Sequence, residues 1–309
     1  MIATAGWASP GPAPQFVTLG TGGGPVVQLE RSQPANAVVV NGAVYLLDVG
    51  EGTQRQLMAA GLSLANVRAV FLSHHHLDHV GGLWPMMINR WINRYPAALP
   101  IVGPAGTNEM VAGLVGAAKP VERAPLAIGG GVTRSIGLTV APREIADKIE
   151  QPLEIYRDEN IRVLAIGVDH FHQADGSVSE AARSYAFRVE AGGRSMVFSG
   201  DTGPSPSLEQ LARNADLLVC EVMDRDAVAA VLARMKLTPG DRAAFMRHID
   251  LDHLTAEQVG SIASRAGVKS LVLTHFAPGR TDADDRKDIK RAATEYRGPI
   301  AAAHDGQRF

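Results

Sequence analysis

Cysteine is nearly absent from this chain of 309 residues: Cys220 stands alone, so no intramolecular disulfide can form and a thiolate metal cage is excluded. It lies in the apolar run Leu217 to Cys220 and reads as inert core. Surplus charge of either sign is missing too. Lys and Arg total 30 against 32 Asp and Glu, a formal charge of -2, which does not advertise polyanion binding and predicts no nucleic acid among the partners. No stretch approaches the roughly 20 apolar residues of a membrane span, and the N-terminus lacks the basic start and apolar run of a signal peptide. A membrane partner is therefore not expected.

What is present is a chain 46% hydrophobic, enough for a sizeable core, and a single domain over residues 15–309 is expected. Residues 1–14, MIATAGWASPGPAP, are small and proline-rich. They read as a flexible leader, or as what is left once an export signal is removed. The expected location is cytoplasmic for the chain as given and periplasmic in the second case.

Short apolar or β-branched runs alternate with helical patterns, which argues for a layered α/β architecture. Val67 to Leu72 (VRAVFL) ends in Ser73 and His74, and Val268 to Leu273 (VKSLVL) ends in Thr274 and His275, a faint internal repeat that suggests two half-folds with equivalent sites. Ile161 to Val168 runs into Asp169 and His170, and Ser195 to Phe198 into Ser199, Gly200 and Asp201. Ala43 to Leu47 leads into Asp48 and the turn Gly50-Glu51-Gly52, followed by a helical segment that closes on Gly61. Gly116 to Ile155, rich in Gly and Pro without clear periodicity, reads as irregular excursions, and Asp224 to Asp252 as a helical insertion or flap.

The densest chemistry is in SHHHLDHVGG, where His74, His76, Asp78 and His79 fall within six residues between a strand and two glycines. Imidazole nitrogens and carboxylate oxygens suit zinc. His74 and His76, alternating along the chain, can face one ion while Asp78 and His79 face a second. His75 would point away from both neighbours in an extended segment and reads as structural. Two nearby histidines alone would be a polar loop; this spacing after a strand points to metal.

With that motif the chain resembles the metallo-β-lactamase superfamily, whose His-x-His-x-Asp-His signature is matched at His74, His76, Asp78 and His79. The family's later signals are matched in order by His170, Asp201 and His275. The resemblance implies a four-layer αββα sandwich with the metal site at strand ends, and His74, His76 and His170 on a first ion. It implies Asp78, His79 and His275 on a second, with Asp201 bridging. Two zinc ions are the cofactor implied, with manganese or iron(II) as substitutes. His170 is chosen over His172 on family pattern and strand-end position. Asp48 resembles the family acid that orients a ligating histidine from behind.

Within the family, the GEGTQRQL stretch, Glu221 and HLTAEQV look most like the ribonuclease Z, arylsulfatase and phosphodiesterase branch. His253-Leu254-Thr255 stands where that branch has His-Ser-Thr, which makes His253, with Asp78, a candidate catalytic residue. Asp250 and Asp252 are the acids expected to keep its imidazole protonated. The glycines at 20 and 22–24, in GTGGG, lack the Lys-Ser/Thr and helix of a phosphate loop and read as a tight strand-exit turn near the site. Trp84, Met87, Trp91 and Tyr95, spaced by three and four, form one apolar helical stripe for packing.

The functional expectation is a dinuclear zinc hydrolase of a small ester-like molecule, phosphodiester before lactone or sulfate ester. Its alternatives are a ribonuclease Z-like tRNA 3′-processing endonuclease, which the neutral charge and lack of a basic substrate arm disfavour, and a non-catalytic metal-binding protein. An iron redox role would want a carboxylate where this chain has His76, and a flavin domain. The sequence does not decide between a monomer and a homodimer.

Overall fold

In the computed structural model the described residues are 13–24, 26–124, 134–173, 176–277 and 281–309. Most of the expected leader, residues 1–12, lies outside them. Pro14 is buried, and its carbonyl accepts a hydrogen bond from the Arg194 guanidinium at 2.9 Å.

Two seven-stranded mixed sheets face each other. The first runs, edge to edge, Gln307–Arg308, Gln15–Gly20, Ala35–Val40, Ala43–Val49, Val67–Phe71, Leu99–Gly103 and Val140–Glu144. The second runs Ile300–Ala302, Leu271–Thr274, Leu217–Glu221, Arg194–Phe198, Ser184–Ala191, Arg162–Val168 and Leu153–Arg157. In each sheet the pairings are parallel over four consecutive strands and antiparallel elsewhere. The repeated strands that end near His74 and His275 belong to those parallel parts, one in each sheet.

Because strand side chains alternate between faces, each sheet buries one face on its partner and the other under helices. Phe16, Tyr45 and Phe71 meet Phe187, Met196 and Val219 between the sheets. Leu46 and Val70 point outward, onto Met87 and Trp91 of helix Leu83–Ile92. Met87 and Trp91 of the apolar stripe are thus packing residues, while Trp84 and Tyr95 are half-buried and Tyr95 lies beyond the helix. On the opposite side Val197, Leu218 and Leu273 pack on Leu208 of helix Pro206–Ala212 and on Val259 and Ile262 of helix Ala256–Ala266. The result is the αββα sandwich. Cys220 is buried in its strand, and desolvation pushes its thiol far above the usual range, so it is inert.

One reading of the chain needs correction. The segment from Gly116 to Ile155 holds the helix Lys119–Arg123 and an outer strand of each sheet, Val140–Glu144 and Leu153–Arg157. Outer strands have a neighbour on one side only and stay half exposed, so they carry little of the apolar periodicity that marks central strands. The expected insertion is present as two helices, Arg225–Arg234 and Pro239–Asp252, with a small core of Met223, Val228, Leu232 and Ile249.

Candidate metal centre

The residues singled out in the sequence meet at one edge of the sandwich, where strand carboxyl ends deliver side chains into loops. Strand Val67–Phe71 pairs in parallel with Ala43–Val49, Leu47 opposite Phe71. One residue further on, this register carries Asp48 level with Leu72, next to Ser73. The Asp48 carboxylate accepts from Ser73 N at 2.7 Å and Ser73 Oγ at 2.7 Å, and its Oδ2 lies 2.7 Å from His79 Nδ1. Ser73 Oγ in turn lies 3.0 Å from His74 Nδ1. One buried carboxylate therefore orients two imidazoles, His79 directly and His74 through a hydroxyl. Asp48 holds φ 59° and His275 φ 62°, a left-handed conformation that costs a β-carbon residue of order 1 kcal/mol and clusters at functional sites.

Two donor groups result. His74, His76, His170 and Asp201 offer atoms within 4.8 Å of one another, and so do Asp78, His79 and His275. Asp201 Oδ2 lies between the groups, 3.0 Å from His275 Nε2, 3.3 Å from His79 Nε2, 3.8 Å from His74 Nε2 and 3.9 Å from His170 Nε2. Gly200, at φ 58°, lets Asp201 come this close. A β-carbon there would stand 2.8 Å from Ser73 Cβ and 2.9 Å from the Tyr185 carbonyl oxygen. Gly23 is just as confined, because its β-carbon would sit 2.4 Å from His275 Nδ1. The glycine turn thus packs on the site, and Gly24 N donates to Asp78 Oδ2 at 3.0 Å.

The donor set fits divalent metal on an independent observation. Buried polar atoms almost always find partners, yet His74 Nε2, His79 Nε2 and His275 Nε2 are buried without one and converge on the same space. Desolvation and the neighbouring His79 push His74 well below its ordinary range, and burial brings His170 down to about 3, so both imidazoles keep a lone pair to offer. At the second group burial opposes charge but the ions win. Asp201 raises His275 to about 10 and His79 well above its usual value. Those two imidazoles in return hold Asp201 well below the carboxylate range, and His79 and His275 hold Asp78 at about 2. A dication entering this group displaces protons from His79 and His275.

His170 and His172 part company. His170 joins the first group, its Nδ1 donating to the Asp252 carbonyl at 2.9 Å, while His172 turns to the Asp252 carboxylate. His75 points away, its Nε2 3.0 Å from Thr107 Oγ1. His253 reaches the site, with ring centroids 5.1 Å from His170 and 5.7 Å from His275. Its partner is Glu221, 2.8 Å from Nδ1, in place of the acids expected for it. Asp250 pairs with Arg225, and the Asp252 carboxylate is taken by His172 and His248. Burial lowers His253 to about 3 and raises Glu221 well above its ordinary range, so the pair's shared proton is held without separating charge. His248 was missed by the sequence reading. Its signal was the i, i+4 spacing from Asp252 at the end of the flap helix.

A sequence model of the beta-lactamase superfamily domain matches residues 44–276. Ribonuclease Z of Mycolicibacterium paratuberculosis is 31% identical over 298 residues, covering 95% of this chain and 97% of the relative. Among solved structures, the metallo-beta-lactamase fold protein YhfI from Bacillus subtilis aligns with a TM-score of 0.68 at 19% identity, over 96% of this chain and 100% of its own. The short form of human tRNase Z aligns with a TM-score of 0.66 at 22% identity, over 96% and 98%. The first of these relatives overturns the expectation of a small-molecule substrate without nucleic acid. Net charge averages over a whole surface, whereas contacts to phosphates are local, so a value of -2 does not exclude them. Among the described residues no helix is long and apolar enough to cross a membrane.

Proposed function

The chain belongs to the metallo-β-lactamase superfamily and is a metal-dependent hydrolase acting on ester bonds, and from that premise we propose that it cuts a phosphodiester of RNA as a ribonuclease Z-like tRNA 3′-processing endonuclease. What supports the reading is a single conjunction: two donor groups with the Asp201 carboxylate between them, beside the His253–Glu221 pair, on a chain that matches a ribonuclease Z along 95% of its length.

In this reading His74, His76 and His170 would hold one ion and Asp78, His79 and His275 a second, with Asp201 available to both. Nitrogen and carboxylate donors suit zinc, which would be the cofactor at two ions per chain. When bound, such ions supply an activated water and neutralise charge that builds on the attacked phosphorus. The protein's own residues handle the leaving group. With Glu221 protonated and donating to His253 Nδ1, the imidazole carries its hydrogen on Nε2, the nitrogen remote from Glu221. That hydrogen passes to the departing oxygen while the Glu221 proton moves to Nδ1. The His253 ring stays neutral before and after, and Glu221 ends as the carboxylate.

The test is a precursor tRNA with a 3′ trailer, incubated with zinc-loaded protein and mapped at nucleotide resolution. One cut at the end of the acceptor stem is expected. A precursor left intact by protein that hydrolyses a nitrophenyl phosphodiester would overturn the RNA substrate and leave the hydrolase. Elemental analysis at saturation should return about two ions per chain, and a single ion would sink the dinuclear assignment.

A further inference from the structure

The flap ends in a buried carboxylate that the hydrolytic chemistry above does not use. Asp252, 1% exposed, closes helix Pro239–Asp252 and divides its oxygens among three histidines. Its carbonyl accepts from His170 Nδ1 at 2.9 Å. Oδ1 accepts from His172 N at 3.0 Å and lies 2.6 Å from His172 Nδ1, and Oδ2 lies 2.5 Å from His248 Nδ1. Both carboxylate oxygens are thus taken up by groups on neighbouring segments, Oδ1 by His172 and Oδ2 by His248.

A carboxylate accepts only, so His248 must carry a hydrogen on Nδ1. Its remaining nitrogen, Nε2, is on the far side of the ring and makes no hydrogen bond to the described residues. The side chain is 39% exposed. Its ring centroid lies 5.9 Å from that of His170 and 5.4 Å from that of His253. Phe245, one turn earlier, braces the ring edge-on at 6.2 Å. An imidazole held at one nitrogen by a buried acid, partly exposed and with its ring 5.4 Å from that of His253, is a contact in search of a substrate atom.

We propose that His248 is a specificity-determining residue whose Nε2 pairs with a ribose 2′-hydroxyl beside the scissile phosphodiester, and that Asp252 is the positioning residue that fixes its ring. A hydroxyl both donates and accepts, so it pairs with Nε2 whichever protonation state that nitrogen has; a phosphate oxygen accepts only. The 2′-hydroxyl is next to the 3′-oxygen that departs when His253 protonates it, and His248 is next to His253. The 2′-hydroxyl is also the group by which a site tells RNA from DNA. This inference rests on the RNA reading above and adds the residue that enforces it.

The experiment compares two synthetic precursor-tRNA oligonucleotides on zinc-loaded protein, one all-RNA and one with a single 2′-deoxyribose on the 5′ side of the cut. For the unaltered protein kcat/KM should fall about tenfold on the deoxy substrate, the worth of one hydrogen bond. In His248→Ala that ratio should approach one with zinc content unchanged, and in His248→Gln, whose amide can still pair with a hydroxyl, it should return in part. Asp252→Asn should shrink the ratio without removing zinc. A His248→Ala protein that keeps the full ratio overturns the proposal, as does unaltered protein with a ratio of one. Unaltered protein that cuts neither oligonucleotide takes down the RNA reading, and this proposal with it.

Discussion

His74, His76, Asp78 and His79 come from one six-residue stretch after strand Val67–Phe71, whereas His170, Asp201 and His275 follow three separate strands of the second sheet and His253 follows the flap helix Pro239–Asp252. The two sides are also braced differently. On the first, a side chain does the work: the Asp48 carboxylate grips His79 and, through Ser73, His74. On the second, His170 leans on a backbone carbonyl, that of Asp252, and the nearby carboxylates serve His253 and His248. A side-chain brace can be removed by one substitution, while a carbonyl brace survives as long as the flap helix does. The second sheet's part of the site should therefore tolerate changes behind the ligands better than the first.

The largest effect should come from the residue that both sides share. Asp201→Asn replaces a charge lying among four imidazoles with a neutral amide, and metal should be lost from both donor groups together, with turnover falling to that of chelator-stripped protein. Elemental analysis alongside turnover checks this; full metal content with full activity would remove Asp201 from the centre.

Next in size is His253, the proton donor proposed for the second side. His253→Ala should cost about 10²- to 10⁴-fold on an alkyl phosphodiester, whose leaving oxygen needs the proton, and little on a nitrophenyl ester. Equal losses on the two substrates, at intact metal content, would reduce His253 to packing.

The braces give the direct comparison. Asp48→Asn should weaken metal binding about 10- to 100-fold, the usual cost of removing the acid behind a ligating histidine. Asp252→Asn keeps the carbonyl that holds His170 and should weaken it less than about tenfold. Competition with a zinc chelator measures both, and equal losses would mean that the two sides are braced alike. Smallest of all, His172→Ala should leave zinc content unchanged, because His172 bonds to Asp252 outside both donor groups.

The same contrast governs how much could be read before folding. A dense motif carries much of its own geometry, since a strand end followed by a helical turn gathers residues 74, 76, 78 and 79 in one place before Asp48 and Gly24 brace them from other parts of the chain. Near-continuous apolar runs in strands such as Ala43–Val49 and Leu217–Glu221 were likewise enough for a layered α/β architecture, because central strands must bury both faces. His170, Asp201 and His275 were marked by position at the ends of such strands.

Sequence alone thus determined the sandwich, the donor types and the chemistry they suit. It did not determine partnership. That Glu221, not Asp250 or Asp252, serves His253 follows from register, because Glu221 pairs with Thr274 across the sheet and so stands at the edge where His275 turns in. Strands Val140–Glu144 and Leu153–Arg157 were hidden because outer strands lack a strong apolar pattern. The Asp252 clamp joins residues 80 positions apart, His172 and Asp252, which only the packed flap brings together. Side-chain periods of 2 and 3.6 are local and legible in the chain, whereas which acid meets which imidazole depends on how sheets align and helices dock, and that is decided by the whole core at once.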